Sequence, residues 1–180
     1  MKIVLASKSP RRLEILQSIG IHPEIVDSGF AEDHEKANLS ASEYVLQTAI
    51  SKGRAAGEAY EASKVDLLIA ADTVVRDPDG NILEKAQTGE DAVRMLKRLE
   101  NRTHTVLTAV VMLVGGPSSE SFQEVSFVES TSVSFGSITK DDLDAYIASR
   151  DWEDKAGAYG YQSLAKRFVK EINGCYYNVV

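Results

Sequence analysis

The alternation of apolar and polar residues along this chain predicts short strands and amphipathic helices. Two continuous apolar runs, 3–6 and 67–71, are typical of buried strands. Apolar residues at helical spacing follow the first run in 10–19, where Ser9 suits the N-cap and Pro10 the first helical position. The start of the chain therefore predicts a strand, a short loop and a helix.

The rest of the chain continues this alternation. Further strands are predicted at 22–27, 73–76, 82–85, 103–114, 122–135, 167–172 and 175–180, and further helices at 42–62, 89–99 and 139–148. Within the longest strand Val125, Phe127, Val133 and Phe135 alternate with polar residues, which predicts one buried face. We therefore expect an α/β fold in which a mixed twisted sheet has flanking helices, with residues 1–180 as a single domain.

Composition narrows the class of protein. The 180 residues are 43% apolar and 26% charged, which is ordinary for a soluble globular domain. A net charge of −7 argues against a nucleic-acid binder or a binder of anionic membranes. The one cysteine, Cys175, excludes an internal disulfide and has no local histidine to activate it as a nucleophile. No apolar run approaches the roughly 18 residues of a membrane span, so we expect a cytoplasmic protein.

Candidate chemistry begins in the loop Ser-Lys-Ser-Pro-Arg-Arg at 7–12. Arg11 and Arg12 fall in the first helical turn, where the helix dipole is already positive and each cation costs roughly 0.3–1 kcal/mol. An anion bound there, together with the unpaired backbone N–H groups, would explain both arginines. The alternative is that both are solvated or pair with acidic residues elsewhere.

A nucleoside triphosphate requires cations, a divalent metal and a carboxylate. The candidates for holding phosphate oxygens are Ser7, Ser9, Arg11, Arg12 and Lys85. Asp72 follows an apolar run and could bind metal or act as a base, although a carboxylate that caps a turn is the alternative. Glu32 or Asp33 could add a second carboxylate from the polar loop, and Gln162 could contact a base or ribose from the glycine-rich loop 155–162.

Simple alternatives stand beside the other candidates too. Solvent exposure is the default for Lys52 in mid-helix, and it is also the simple reading of Glu32 and Lys85. The three histidines lack metal-ligand spacing, and neither a P-loop nor a dinucleotide fingerprint is present.

Five segments in this order resemble those of Maf proteins, which are nucleoside triphosphate pyrophosphatases also described as septum-formation inhibitors. They are Leu-Ala-Ser-Lys-Ser-Pro-Arg-Arg (5–12), Ala-Ala-Asp-Thr-Val-Val (70–75), Leu-Glu-Lys (83–85), Arg-Thr-His-Thr-Val-Leu-Thr-Ala-Val (102–110) and Asp-Lys-Ala-Gly-Ala-Tyr-Gly-Tyr-Gln (154–162). The resemblance implies two lobes around a central cleft, similar in shape to inosine triphosphate pyrophosphatases, and often a homodimer.

The resemblance also implies roles for individual residues. Asp72 matches the family's proton acceptor, and Arg11, Thr73 and Gln162 match positions linked to choice of base in the subgroup that acts on dTTP and UTP. Other polar cleft positions are matched by Ser7, Arg12, Glu32, Lys52 and Lys85. Departures are Ala86, where proline is usual, Ser163, where glycine is usual, and the end at 178–180, where the family usually continues into a last helix.

These observations predict metal-dependent hydrolysis of a (deoxy)nucleoside triphosphate, dTTP, UTP or a modified pyrimidine nucleotide, to the monophosphate and pyrophosphate. Arg11, Arg12 and Lys85 would neutralise the phosphates. Asp72, with Mg²⁺ or Mn²⁺ and Glu32, would activate the attacking water. Two alternatives remain: a nucleotide-binding regulator of cell division without turnover, and a purine-preferring pyrophosphatase.

Overall fold

The computed structural model describes residues 1–30, 39–162 and 164–180, so Glu32, Asp33 and Ser163 lie outside the described residues. In chain order the elements are β1 (Ile3–Ala6), α1 (Pro10–Ser18), β2 (Glu24–Val26), α2 (Ala41–Gly57), a 3₁₀ turn (Ala62–Lys64), β3 (Leu67–Arg76), β4 (Ile82–Leu83), α3 (Gly89–Leu99), β5 (Thr103–Val114), β6 (Gln123–Phe135), α4 (Lys140–Ser149), a second 3₁₀ turn (Leu164–Arg167), β7 (Val169–Asn173) and α5 (Tyr176–Val179).

The strands form a mixed sheet in the order β2-β1-β3-β5-β6-β7, with β4 paired to β3. β1 runs parallel to β2 and to β3, and its last pairing on that second side joins Ala6 to Ala70. β4 is antiparallel to β3, and β7 is antiparallel to β6. The predicted α/β class with a mixed sheet and flanking helices is therefore confirmed.

The chain divides into two compact units. The first comprises Met1–Asp72 and Thr108–Val128. β1 is its most buried strand, because all four of its residues are buried in the centre of the parallel pairing. Helix α2 packs closely on the sheet: a Cβ added at Gly53 would lie 3.3 Å from Val111 and 3.4 Å from Ala70. This close approach fixes which face of α2 lies over the strands.

The second unit comprises Thr73–Leu107 and Glu129–Val180. Its core draws on β3, β4, β5, β6, α3, α4 and the loops after α4, and includes Val75, Leu96, Leu99, Val106, Phe135, Tyr146, Trp152, Tyr159 and Phe168. The predicted helix 139–148 is confirmed as α4, and the Thr139 side chain caps it by accepting a hydrogen bond from Asp142 N. The predicted helix 89–99 is confirmed as well.

The predicted bounds of α2 are wrong at both ends. Ser40, not Ser42, is the N-cap, because its side chain accepts from Glu43 N while the Glu43 carboxylate accepts from Ser40 N. The helix ends at Gly57, several residues before the predicted end. A Cβ added at Gly57 would lie 2.9 Å from Leu113 Cδ1, so a larger residue here would have to displace the Leu113 side chain.

The C-terminal strand predicted at 175–180 is also wrong. Gly174, with φ of +129°, ends β7, and a short helix follows. The Asn178 side chain in that helix donates to the carbonyl oxygens of Val106 and Glu129, at 3.1 and 3.4 Å. These side-chain bonds hold the segment in a helical turn, which strand propensity alone does not anticipate.

The prediction that Val125 and Phe127 share a buried face with the end of β6 is wrong too. Their exposed fractions are 49% and 48%, whereas Val133 is fully buried. β7 flanks β6 along Ser132–Phe135, the half of the strand in which Val133 is buried. Within residues 1–30, 39–162 and 164–180, no helix combines the length and apolar character needed to cross a membrane.

Candidate active site

Asp72 lies inside β3, where the neighbouring strand β1 has already ended. β1 pairs with β3 only as far as Ala70, so Asp72 is two residues beyond that edge. Its exposed fraction is 8%. The prediction that Asp72 follows a strand is wrong, because β3 continues without interruption to Arg76. The carboxylate is nevertheless placed at the carboxyl end of the parallel pairing, where ligands gather in such sheets.

Lys52 is the basic partner of this carboxylate. Its Nζ lies 2.7 Å from Asp72 Oδ1, and the two side chains are 12% and 11% exposed. The solvent exposure expected for a mid-helix lysine is therefore wrong here. Lys52 follows buried Thr48 by four residues and precedes buried Gly53, which places it on the sheet-facing side of α2. That spacing was the available signal in the sequence.

The first turn of α1 brings an arginine to β3, the strand that carries Asp72. Arg12 Nη1 donates to Ser7 Oγ at 3.1 Å and to the carbonyl oxygen of Ala71 at 2.9 Å. Ser7 Oγ also accepts from Ser9 N at 3.2 Å, which tightens the loop. Ala71 immediately precedes Asp72 in β3. These bonds therefore place the Arg12 guanidinium beside the backbone of the residue that carries the carboxylate. The role of the Ala71 carbonyl had no signal in the sequence.

The start of α1 agrees with the predicted anion site. Ser9 is its N-cap in extended backbone, Pro10 opens the helix, and the first turn contains no acidic residue among the described positions. Arg11 is half-buried in that turn. The two arginines therefore lie at a helix N-terminus whose dipole favours a bound anion.

Three further predicted residues belong to the second unit. Thr73 is half-buried in β3. Lys85 is exposed, with its Nζ 3.6 Å from Asp154 Oδ1 and its backbone bridged to Ala156. Gln162 is exposed. The loop 155–162 thus contacts the segment just after β4 that contains Lys85, within the same unit.

The centre of that loop is buried. Gly157 N donates to the carbonyl of Glu84 at 2.9 Å, and Tyr146 Oη donates to the carbonyl of Ala158 at 3.1 Å. Tyr159 Oη lies 2.6 Å from His104 Nε2. Burial lowers the pKa of His104 to about 4 and raises the pKa of Tyr159, so both groups are neutral near pH 7. The sequence offered His104 only as part of a family motif, without a role.

The structure thus brings Ser7, Ser9, Arg12, Lys52 and Asp72 together in the first unit and arranges Lys85 beside the loop 155–162 in the second. The predicted role of Glu32 lies outside the described residues. For a divalent metal, the described part of the chain holds no group of three or more acidic, histidine or cysteine side chains. Asp72 still offers hard oxygen ligands, and Mg²⁺ is commonly held by one or two carboxylates with substrate phosphates and water. The residues therefore fit such a metal.

Comparisons with known proteins cover the whole chain. A family described as "Maf-like protein" matches residues 2–180. The chain is 40% identical to the dTTP/UTP pyrophosphatase of Acetivibrio thermocellus, over 100% of its own length and 88% of the relative's. It is 41% identical to the dTTP/UTP pyrophosphatase of Carboxydothermus hydrogenoformans, over 100% and 91%. For that of Escherichia coli K12 the values are 39% identity over 99% and 85%. A match of this extent shows that the chain belongs to the Maf family.

Proposed function

We propose that this protein hydrolyses dTTP and UTP to the nucleoside monophosphate and pyrophosphate. The observation that carries the proposal is identity of about 40%, along the full chain, to relatives named dTTP/UTP pyrophosphatase. The geometry around Asp72 agrees with this reaction, because it combines a nearly buried carboxylate with Lys52 and Arg12.

In the proposed mechanism Asp72 accepts a proton from the attacking water. The water oxygen forms a bond to the α-phosphorus while the bond from that phosphorus to the bridging oxygen breaks. Pyrophosphate then leaves. Lys52, at 2.7 Å, holds the orientation of the carboxylate, so Asp72 is positioned to accept the proton.

The cations provide the electrostatic part of the mechanism. Arg11 and Arg12 would neutralise phosphate oxygens from the first turn of α1, and Ser7 would contribute a hydroxyl donor. Two neutral oxygens, of Ser7 and Ala71, orient the Arg12 guanidinium in advance. Such preorganised donors stabilise charge that develops on the leaving group at little reorganisation cost. Lys85 would add a further positive charge.

Asp72 and, as the family resemblance implies, Glu32 would hold Mg²⁺ or Mn²⁺. When bound, the metal supplies positive charge that neutralises the phosphates. Thr73, Arg11 and Gln162 are proposed to select the pyrimidine base, again by the family resemblance. Ser9 would contribute to the phosphate site through the loop that it helps to close.

The test is release of pyrophosphate, measured as phosphate in a coupled pyrophosphatase assay with Mg²⁺. A panel should include dTTP, UTP, CTP, ATP, GTP, ITP and modified pyrimidine nucleotides. We expect turnover highest with dTTP and UTP. Loss of turnover with EDTA is expected as well, and is followed as formation of the nucleoside monophosphate, because the coupling pyrophosphatase itself needs Mg²⁺. Absence of pyrophosphate release from dTTP and UTP by wild type would overturn the proposal, whereas equal turnover of wild type and Asp72→Asn would overturn only the role of Asp72. Nucleotide binding without pyrophosphate release would instead favour a non-catalytic regulator, and a preference for ITP would favour the purine alternative.

A further inference from the structure

Beyond the proposed catalytic residues, a buried polar pair lies in the core of the second unit. His104, on β5, is 2% exposed, and its Nε2 lies 2.6 Å from Tyr159 Oη. The two rings meet edge to face at 5.3 Å between centroids. Phe135 contacts both, at 4.8 Å from each ring centroid. The pair therefore packs in a buried aromatic cluster with Phe135.

The loop that carries Tyr159 adopts a conformation that needs such anchoring. Gly157 and Ala158 are consecutive residues with φ of +66° and +60°, and the left-handed region is unfavourable for alanine. Ala158 is completely buried, and its carbonyl accepts the hydrogen bond from Tyr146. Hydrogen bonds to Tyr146 and to His104 thus hold two successive residues of the loop, Ala158 and Tyr159, at the point where the backbone is strained.

The hydrogen bond between His104 and Tyr159 is not the most stable way to fill this space. His104 Nδ1 is buried and has no hydrogen-bond partner among the described residues. A neutral imidazole carries one N–H, so one donor of the pair stays unsatisfied in either tautomer. Two apolar rings would avoid that penalty. What the polar pair adds is direction, because a hydrogen bond fixes the position of Tyr159 more narrowly than packing does.

Gln162 follows Tyr159 by three residues in the same loop, so the position of Tyr159 affects that of Gln162. A Cβ added at Gly160 would lie 3.2 Å from Gln162 Oε1 and 2.8 Å from Lys155, so the side chains on both sides pack against this glycine. A displacement of Tyr159 would therefore move the backbone on which Gln162 rests. Gln162 itself is exposed.

We propose that His104 is a positioning residue that, through Tyr159, holds the loop 155–162 in the conformation that presents Gln162 to the nucleotide base. This inference rests on the proposed function, in which Gln162 helps to select dTTP and UTP. It assigns no contact between His104 and substrate.

The first test removes one oxygen atom with Tyr159→Phe. We expect the KM for UTP to rise about three- to tenfold, which corresponds to the free energy of one lost hydrogen bond. The kcat should stay within about twofold of wild type. The preference for UTP over CTP should fall by a similar factor. His104→Phe should give the same result, and the double variant should be no worse than either single one, because each single variant already breaks the same bond.

A second readout does not depend on activity. In Tyr159→Phe, cleavage by trypsin after Lys155 should become faster, because the loop opens more often. The matched control is Leu96→Val, a buried substitution in α3 that destabilises the same unit without removing the bond. It should leave both the KM and the UTP preference unchanged. Equal changes in Leu96→Val would show that the effect is general destabilisation and would overturn the inference.

The two proposals can fail separately. If wild type hydrolyses UTP while Tyr159→Phe retains its KM, its UTP preference and its resistance to trypsin, the positioning role is wrong and the proposed function stands. If wild type releases no pyrophosphate, the proposed function is wrong. The affinities of wild type and Tyr159→Phe for α,β-imido-UTP then decide the inference: weaker binding by the variant supports it, and equal binding overturns it.

Discussion

Lys52 Nζ and Asp72 Oδ1 are 2.7 Å apart, with only 12% and 11% of the two side chains exposed. A lysine and an aspartate so far removed from solvent must compensate each other's lost hydration. Helix α2 supplies the cation and strand β3 the anion, both within the first unit. The pair thereby fixes the carboxylate one residue along β3 from the carbonyl that accepts from Arg12, the arginine that we assign to phosphate binding.

Replacement of the carboxylate tests its role as proton acceptor. Asp72→Asn preserves shape and the contact with Lys52 but removes the basic group, so kcat for dTTP should fall roughly 10²–10⁴-fold with little change in KM. Asp141→Asn, at an exposed position of α4, is the control and should retain activity. Near-normal turnover in Asp72→Asn would remove Asp72 from the mechanism.

The ion pair itself can be measured by a double-mutant cycle. Lys52→Met leaves the Asp72 carboxylate without this cation in a nearly dry site, so the free energy of unfolding should fall by roughly 3 kcal/mol. Lys52→Met combined with Asp72→Asn should be more stable than the sum of the single changes predicts, because the uncompensated charge is gone. Denaturant unfolding gives all four values. Strict additivity would mean that the two groups do not interact in solution.

His104 should make stability depend on pH. Its pKa is lowered by burial from 6.5 to about 4, so between these values the unfolded chain binds a proton that the native state does not. The free energy of unfolding should therefore decrease as pH falls from about 6.5 to about 4, by up to roughly 3 kcal/mol from this residue. Above pH 6.5 the contribution is constant.

The measurement compares urea unfolding of wild type and His104→Phe at several pH values from 4 to 7. The slope of stability against pH should be smaller in the variant, while carboxylates contribute equally to both proteins. His22→Gln removes an exposed histidine instead and should keep the slope of wild type. Identical slopes in wild type and His104→Phe would contradict the burial of a neutral imidazole.

Substitution of Gly157 by alanine tests how much the left-handed backbone of the loop 155–162 depends on glycine. Alanine at φ of +66° is unfavourable, and its Cβ would lie 2.8 Å from Val75 Cγ2. Gly80, at φ of +89° with nothing within 4 Å of the added Cβ, has only the conformational penalty. We expect Gly80→Ala to cost about 1 kcal/mol and Gly157→Ala roughly 2–4 kcal/mol. Thermal melts of both variants measure the difference. Equal melting temperatures would show that Val75 and the loop adapt without cost.

Much of the fold was predictable because local patterns report it directly. The buried run 3–6 follows from its apolar residues, the helix that Pro10 opens follows from apolar spacing and the proline, and the helix 89–99 follows from apolar spacing. Patterns that depend on what covers a strand were less reliable. Val125 and Phe127 alternate like residues of a buried face, yet they are exposed, because alternation reports which residues share a face and not whether another layer packs on it.

In the candidate site, the sequence by itself determined which chemical groups are present and, through five ordered motifs, the family to which the chain belongs. Only the tertiary structure decided which groups meet. The bond from Arg12 to the Ala71 carbonyl spans 59 positions along the chain, and that from Tyr159 to His104 spans 55. Hydrophobic periodicity and helix or strand propensity describe only neighbours along the chain. They do not say which distant residues are brought together by strand pairing. Strand pairing and packing, which join distant segments, bring Lys52 to Asp72.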